Sequence, residues 1–220
     1  AVAENLNKRF GSNFTFESII MTVGAGSSIN VIMKTIFDPG DKQVVFAPYI
    51  VEYANWASNY HAETVVVPPN EANGFEPDPE ALKKALDPKV KVVIINNPNN
   101  PTGAIYSRET LEKIAEVLKE AEKEYGHPIY IITDEPYREL VYVDKEIVFI
   151  PDLYDNTIIA YSWSKSLSIP GDRLGYLAVS PKSDNVEEFM AAATVANRIS
   201  GDTNAPSIIQ LAVERCLDAQ

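Results

Sequence analysis

A single cysteine stands in the 220 residues, Cys216, so no internal disulfide can form. That scarcity fits a reducing compartment. Basic residues are short as well: 19 lysines and arginines face 31 aspartates and glutamates, a net charge of −12. Attraction to nucleic acid or to an anionic membrane surface needs the opposite balance. Any anion this chain binds must be met locally, by backbone N–H groups and a few selected cations. No apolar run approaches the roughly 18 residues of a membrane-spanning helix, and the opening stretch does not read as a signal peptide. Internal repeats and low-complexity tracts are missing too. The plain reading is a soluble, cytoplasmic protein with no nucleic-acid or membrane partner and no metal.

What the chain does have is alternation. From Ile19 onward, short apolar runs take turns with longer amphipathic stretches. Seven runs read as strands: "IIMTVG", "QVVFAP", "TVVVPP", "VKVVIINN", "IYIITDE", "TIIAYS" and "LGYLAVS". Most are nearly continuous β-branched residues, the pattern of strands covered on both faces. Helices are expected between several of them. "SSINVIMKTIFDPG" sets Ile29, Ile32, Met33 and Ile36 on one face and stops at Pro39-Gly40. "DPEALKKALDP" has an acidic start and a proline stop, and "SRETLEKIAEVLKEAEKEYG" opens on Ser107 and Thr110 and ends at Gly126. The alternation predicts an α/β fold, a mostly parallel seven-stranded sheet with helices on both faces, in one domain over residues 1–220. Both ends, "AVAENLNKRFG" and "SIIQLAVERCLDAQ", read as helical and as cut, so a piece of a longer protein is expected.

In such sheets ligands bind beyond the carboxyl ends of the strands. Four clusters occupy that place. In "TVGAGSSINVIMK" a Gly-Ala-Gly turn opens straight into a helix, so Ala25, Gly26 and Ser27 can aim N–H groups at an anion; a tight turn needs glycine anyway, and that reading stays open. "NNPNNPTGAIYS" is a rigid, irregular loop in which Asn100 can hold one amide in a fixed direction, unless the loop is only a turn. "IYIITDEPYREL" ends an apolar run on Asp134, a carboxylate facing desolvation, with Tyr137 three residues on; a strand-capping aspartate accounts for the first but not for the pair. "YSWSKSLSIPGDRLGY" sets Lys165 among Ser162, Ser164, Ser166 and Ser168, with Arg173 downstream. A serine-rich surface loop is one reading. A desolvated, nucleophilic amine, with Ser162 and Arg173 as phosphate ligands, is the other.

Taken together the clusters offer an amine for an aldehyde, a carboxylate for a ring nitrogen, donors for a ring oxygen and a cradle for an anion. In motif order and over nearly the whole chain, they resemble the class I/II aminotransferases, pyridoxal-phosphate enzymes of fold type I. "NNPNNPTG" and "SWSKSLSIPGDRLGY" are the most specific matches, with "TDEPY" between them. The resemblance implies the fold type I large domain and pyridoxal 5'-phosphate as cofactor. It makes Lys165 the Schiff-base lysine and proton shuttle, and Asp134 the partner of the pyridine nitrogen. Asn100 and Tyr137 become the donors to the phenolic oxygen, and Ala25, Gly26, Ser27, Ser162 and Arg173 the phosphate site. One position departs from the pattern. The family usually stacks an aromatic ring on the cofactor at the second residue after Pro48, where this chain has Ile50, with Tyr49 and Tyr53 as the nearest rings.

By the same resemblance, the chain lacks the N-terminal segment and the C-terminal small domain, which carries the substrate-carboxylate arginine. Arg138 and Arg198 read as surface residues. The isolated piece is therefore expected to be poorly active, and the full-length protein to act on amino acid and 2-oxo acid substrates as a homodimer. A lyase or synthase on the same scaffold would show the same cofactor residues. A non-catalytic excised domain is the reading of another kind. An unrelated nucleotide-binding domain lacks an acidic ribose partner at the right spacing.

Overall fold

The computed structural model describes residues 1–217. Its strands are β1 (Ile19–Thr22), β2 (Lys42–Phe46), β3 (Glu63–Val67), β4 (Val90–Asn96), β5 (Tyr130–Asp134), β6 (Thr157–Ser162) and β7 (Gly175–Val179). The helices are α1 (Val2–Phe10), α2 (Ala25–Ile36), α3 (Glu52–Ser58), α4 (Pro79–Ala85), α5 (Arg108–Tyr125), α6 (Trp163–Ser166), α7 (Val186–Ile199) and α8 (Ser207–Glu214). All seven expected strands form one sheet in the order β1-β7-β6-β5-β4-β2-β3. From β3 to β6 every pairing is parallel. β7 runs antiparallel to both β6 and β1, so the sheet is mixed at that side.

The apolar runs follow from two-sided burial. Along β4, Val92 and Ile94 join a core under α2, α3 and α7, while Val93 and Ile95 join a core under α4 and α5. Along β6 and β7, Ile158, Ala160, Leu177 and Val179 share the first core, and Ile159, Tyr161, Tyr176 and Ala178 face a third, closed by α1 and α8. A period of two with both faces covered keeps most strand positions apolar, and polar ones inside them such as Gln43 and Thr133 are buried and hydrogen-bonded.

The helix signals perform as their chemistry requires. Ser107 Oγ accepts from the Thr110 N–H at the start of α5, and Gly126 closes it in a left-handed conformation. Asp78 caps α4 in the same way. Helices α3 and α7 carry no such caps and were not expected. The helix foreseen to the end of the chain stops at Glu214, and residues 218–220 of that expectation lie outside the described residues. No helix among the described residues is long and apolar enough to cross a membrane.

The registers gather one edge. Asn96 lies opposite Asp134, Asp134 opposite Ala160, Ser162 opposite Gly175, and Gly175 opposite Thr22. Gly175 is the tight point of that row: a methyl there would meet the Tyr161 carbonyl oxygen and lie 2.8 Å from Gly24 Cα. Both obstacles are backbone and cannot swing aside. Gly175→Ala is accordingly expected to cost about 3 kcal/mol, the upper end of ordinary overpacking, read as a lower urea midpoint with unchanged slope.

Candidate active site

Asp134 closes β5 with its side chain buried. The Tyr53 hydroxyl donates to its Oδ2, whereas Oδ1 has no hydrogen-bond partner among the described residues. Burial drives the carboxyl pKa up to about 7; the Tyr53 bond works against that rise and the neighbouring Glu135 charge adds to it. Among the described residues, the desolvated carboxylate foreseen from the sequence is thus held by one phenol and no cation. Tyr53 is itself buried in the core and points at Asp134 from α3. Its hydroxyl is committed to the carboxylate. Periodicity could not disclose this, although a buried phenol always calls for a partner.

Asn100 and Tyr137 are brought together as expected. Asn100 Nδ2 donates to the Tyr137 hydroxyl at 3.1 Å, and the Asn100 N–H donates to Asn96 Oδ1 at 2.7 Å. Asn96 in turn donates through Nδ2 to the Asp134 carbonyl at 2.9 Å. A bonded path therefore ties the loop to the ends of β4 and β5. Burial, then the Asp134 charge, raises the Tyr137 pKa. Lys165 follows β6 on the single turn α6; it is exposed, with Nζ 6.0 Å from the Tyr137 ring centroid.

The glycine turn before α2 leads straight from β1 into the helix. Gly24 has φ 101°, and a side chain there would strike the Arg173 guanidinium. Arg173 itself stands exposed at φ 53°, donating from Nη2 to the Val23 carbonyl at 2.8 Å and from Nη1 to the Pro170 carbonyl at 3.0 Å. Thr22 and Ser28 hydroxyls, 2.7 Å apart and buried, pin the first turn of α2 to β1. Gly26 and Ser27 share with Arg173, Trp56 and Asp202 a cleft of about 720 Å³. A methyl on Gly26 would come within 3.2 Å of the Trp56 ring. Ala25 opens the helix beside them. The Ser27 hydroxyl is already engaged, donating to Asp202 at 2.5 Å. Ser162 is buried one strand away, opposite Gly175. Ile50 is half-buried and packs with Tyr49 and Trp56 on the core below α2 and α3.

Arg138 is the clear correction. Expected at the surface, it is buried and ion-paired with the equally buried Glu135, its guanidinium 5.1 Å from the Phe10 ring centroid and 4.8 Å from that of Tyr161. The chain after β5 turns inward rather than out, and the rings accept the flat cation. Arg198 is exposed, as expected.

The profile described as "Aminotransferase class I and II" matches residues 1–220. Among curated proteins, the chain is 35% identical over 205 residues to a probable aspartate/prephenate aminotransferase of Thermus aquaticus, covering 92% of this chain and 51% of that protein. It is 34% identical to an aspartate aminotransferase of Pyrococcus horikoshii, over 80% of this chain and 44% of that one. Among solved structures, an amino transferase from Eubacterium rectale superposes with a TM-score of 0.96 at 39% identity, over 98% of this chain and 54% of its own. An aspartate aminotransferase from Thermotoga maritima superposes at 0.88 and 30% identity, over 99% and 55%. The chain spans about half the length of the curated relatives it matches.

The raised Asp134 carboxyl has a measurable consequence. Its folded pKa of about 7 lies above the ordinary 3.8, so the folded chain keeps a proton that the unfolded chain loses. Stability from this group is full below about pH 4, falls as pH rises towards about 7, and is level above, a loss of up to about 4 kcal/mol at about 1.4 kcal/mol per pKa unit. Urea unfolding of the cofactor-free protein across that window should show the decline, and Asp134→Asn should flatten it.

Proposed function

This chain belongs to the class I and II aminotransferases, and from that premise we propose that residues 1–220 form the pyridoxal-phosphate-binding domain of a transaminase. The full protein would move an amino group between an amino acid and a 2-oxo acid. The observation that carries the proposal is the unpartnered, buried Oδ1 of Asp134. An orphaned acceptor in that environment costs free energy until a donor meets it, and a protonated pyridine nitrogen is a donor that carries a compensating positive charge.

When bound, pyridoxal phosphate supplies an electrophilic aldehyde and a ring that takes up electrons. The protein's own groups divide the remaining work. Asp134 would hold the proton on the ring nitrogen, its carboxylate kept in place by the Tyr53 hydroxyl. Because the Tyr137 hydroxyl accepts from Asn100, its own proton is free to be donated to the phenolic oxygen. Lys165 Nζ would be the amine offered to the aldehyde, and once released would move the proton at substrate Cα. The N–H groups of Ala25, Gly26 and Ser27, the Ser162 hydroxyl and the Arg173 guanidinium take the phosphate. Ile50 would offer the ring an aliphatic surface. We place the full protein in the cytoplasm as a homodimer; exposed Ile199, Ile208 and Leu211 on α7 and α8 are apolar surface suited to a partner.

Borohydride reduction of the protein after addition of pyridoxal phosphate, followed by peptide mapping, tests the assignment. The label is expected on Lys165 and absent after Lys165→Ala; a label on another lysine refutes the role. Ile50→Phe should tighten cofactor binding about two- to tenfold, the value of one aromatic stacking pair, measured by titration of the absorbance of the bound cofactor.

A further inference from the structure

Lys165 stands on a helix of one turn, Trp163–Ser166. A single turn fixes several backbone dihedrals for very few hydrogen bonds and has no stability of its own. Its orientation must come from what grips its flanks. At its start the Trp163 indole is buried, edge-on to Tyr161 and tilted against Tyr176, each at 5.4 Å between centroids. At its end the Ser166 and Tyr161 hydroxyls lie 3.0 Å apart. The Tyr161 hydroxyl donates to Glu139 Oε2 at 2.9 Å. Its proton being committed there, Ser166 is the donor in the other contact. Glu139 is held on its second oxygen by Arg9 of α1 at 2.8 Å. The Arg138 guanidinium, 4.8 Å from the Tyr161 ring centroid, fixes the plane of the ring.

We propose that Tyr161 and Glu139 are positioning residues for Lys165: the Tyr161 hydroxyl, anchored on the Glu139 carboxylate, holds the end of the turn that presents the amine. The inference rests on the reading of Lys165 as the cofactor's amine. A bond to an ionised acceptor is roughly twice as strong as a neutral one, so Glu139 is the fixed point and Ser166 the part that is held. Productive attack needs the reacting atoms within about 3–3.5 Å and aligned, and a turn free to rock spends less time in that geometry. Arg9 extends the anchor to α1, an element far from Lys165 in sequence.

The test uses the full-length protein, unmodified and as Tyr161→Phe, Glu139→Ala and Glu139→Gln, loaded with pyridoxal phosphate. Two quantities are read: the rate at which borohydride-trapped label appears on Lys165, and the visible circular dichroism of the bound cofactor, which reports its fixed orientation. Tyr161→Phe and Glu139→Ala are expected to trap about five- to tenfold more slowly with weakened dichroism, while Glu139→Gln, which keeps an acceptor for the phenol, stays within about twofold. Melting midpoints of the cofactor-free proteins are recorded alongside. A merely structural role would lower those midpoints and leave trapping well below them unchanged. That result, or trapping by Tyr161→Phe at the unmodified rate, overturns the inference and leaves the cofactor assignment standing. Should Tyr161→Phe not fold, Ser166→Ala removes the other end of the contact and carries the same expectation. No label on Lys165 in the unmodified protein overturns the cofactor assignment and this inference with it.

Discussion

Parallel pairing from β3 through β6 is the constraint on which the site depends. A strand in such a run can be reached only by carrying the chain back across the sheet, so each strand leaves on the same side. Phe46, Asn96, Asp134 and Ser162 end their strands there. β7 runs the other way and enters at that side through Gly175, and β1, reversed again, leaves there at Thr22. Neighbouring strands lie about 4.8 Å apart. Residues distant in sequence are thus set side by side by backbone hydrogen bonds, before any side chain contributes. The glycine turn adds one demand of its own: α2 can begin at this edge only because Gly24 and Gly175 let two backbones approach.

Adjacent carboxyl groups at the end of β5 show how burial is resolved in two ways. Asp134 is met on one side of the sheet by Tyr53 of α3, and Glu135 on the other by Arg138 and the Thr133 hydroxyl. A guanidinium neutralises the second; the first has a phenol and a raised pKa. Removing one member of a buried ion pair costs about 3–5 kcal/mol, because the survivor is left charged in a poor solvent. Arg138 and Glu135 are therefore committed to each other. Asp134, with one oxygen unpartnered, is the member of the pair left able to answer a ligand. The chain's acidity of −12 does not reach this point as such: what governs it is the local inventory of donors within hydrogen-bond reach.

The strands were legible because each apolar run is bounded by turn residues, and α5 because Ser107 and Gly126 mark both its ends. The direction of β7 was not. Parallel strands need a crossover, usually through a helix, and the stretch from Trp163 to Leu174 contains only single turns. That contrast was present in the residues, but hidden under the motif that fills the connection. That the four motifs share one edge could be anticipated because they sit at strand ends; the pairing of Asn100 with Tyr137, and of the glycine turn with Arg173, came only with the family resemblance. The Tyr53 bond to Asp134 and the burial of Arg138 could not. Each depends on a partner brought near only by the packing of helices on the sheet, and neither α3 nor the inward turn after β5 carries a local signal.

The groups at the site fall into two mechanical classes. Asn96 and Asp134 belong to the sheet, and the ladder fixes them. Asn100 and Arg173 lie on loops, and each is returned to the edge by a specific bond: the Asn100 N–H to Asn96, and the Arg173 guanidinium to the Val23 carbonyl. Arg173 accepts a left-handed backbone to do so, a conformation that costs a non-glycine residue about 1–2 kcal/mol. Two hydrogen bonds from its guanidinium to carbonyl oxygens offset that cost. They also leave the remaining N–H groups of the fork in the cleft with Gly26 and Ser27. Rigid edge and tethered loop thus reach the same precision by different means. A group that must only receive a ring can rest on the ladder. Lys165 belongs to neither class: it rides on a single turn, gripped at its start by the packing of Trp163 against Tyr161 and Tyr176 and at its end by the Ser166–Tyr161 contact.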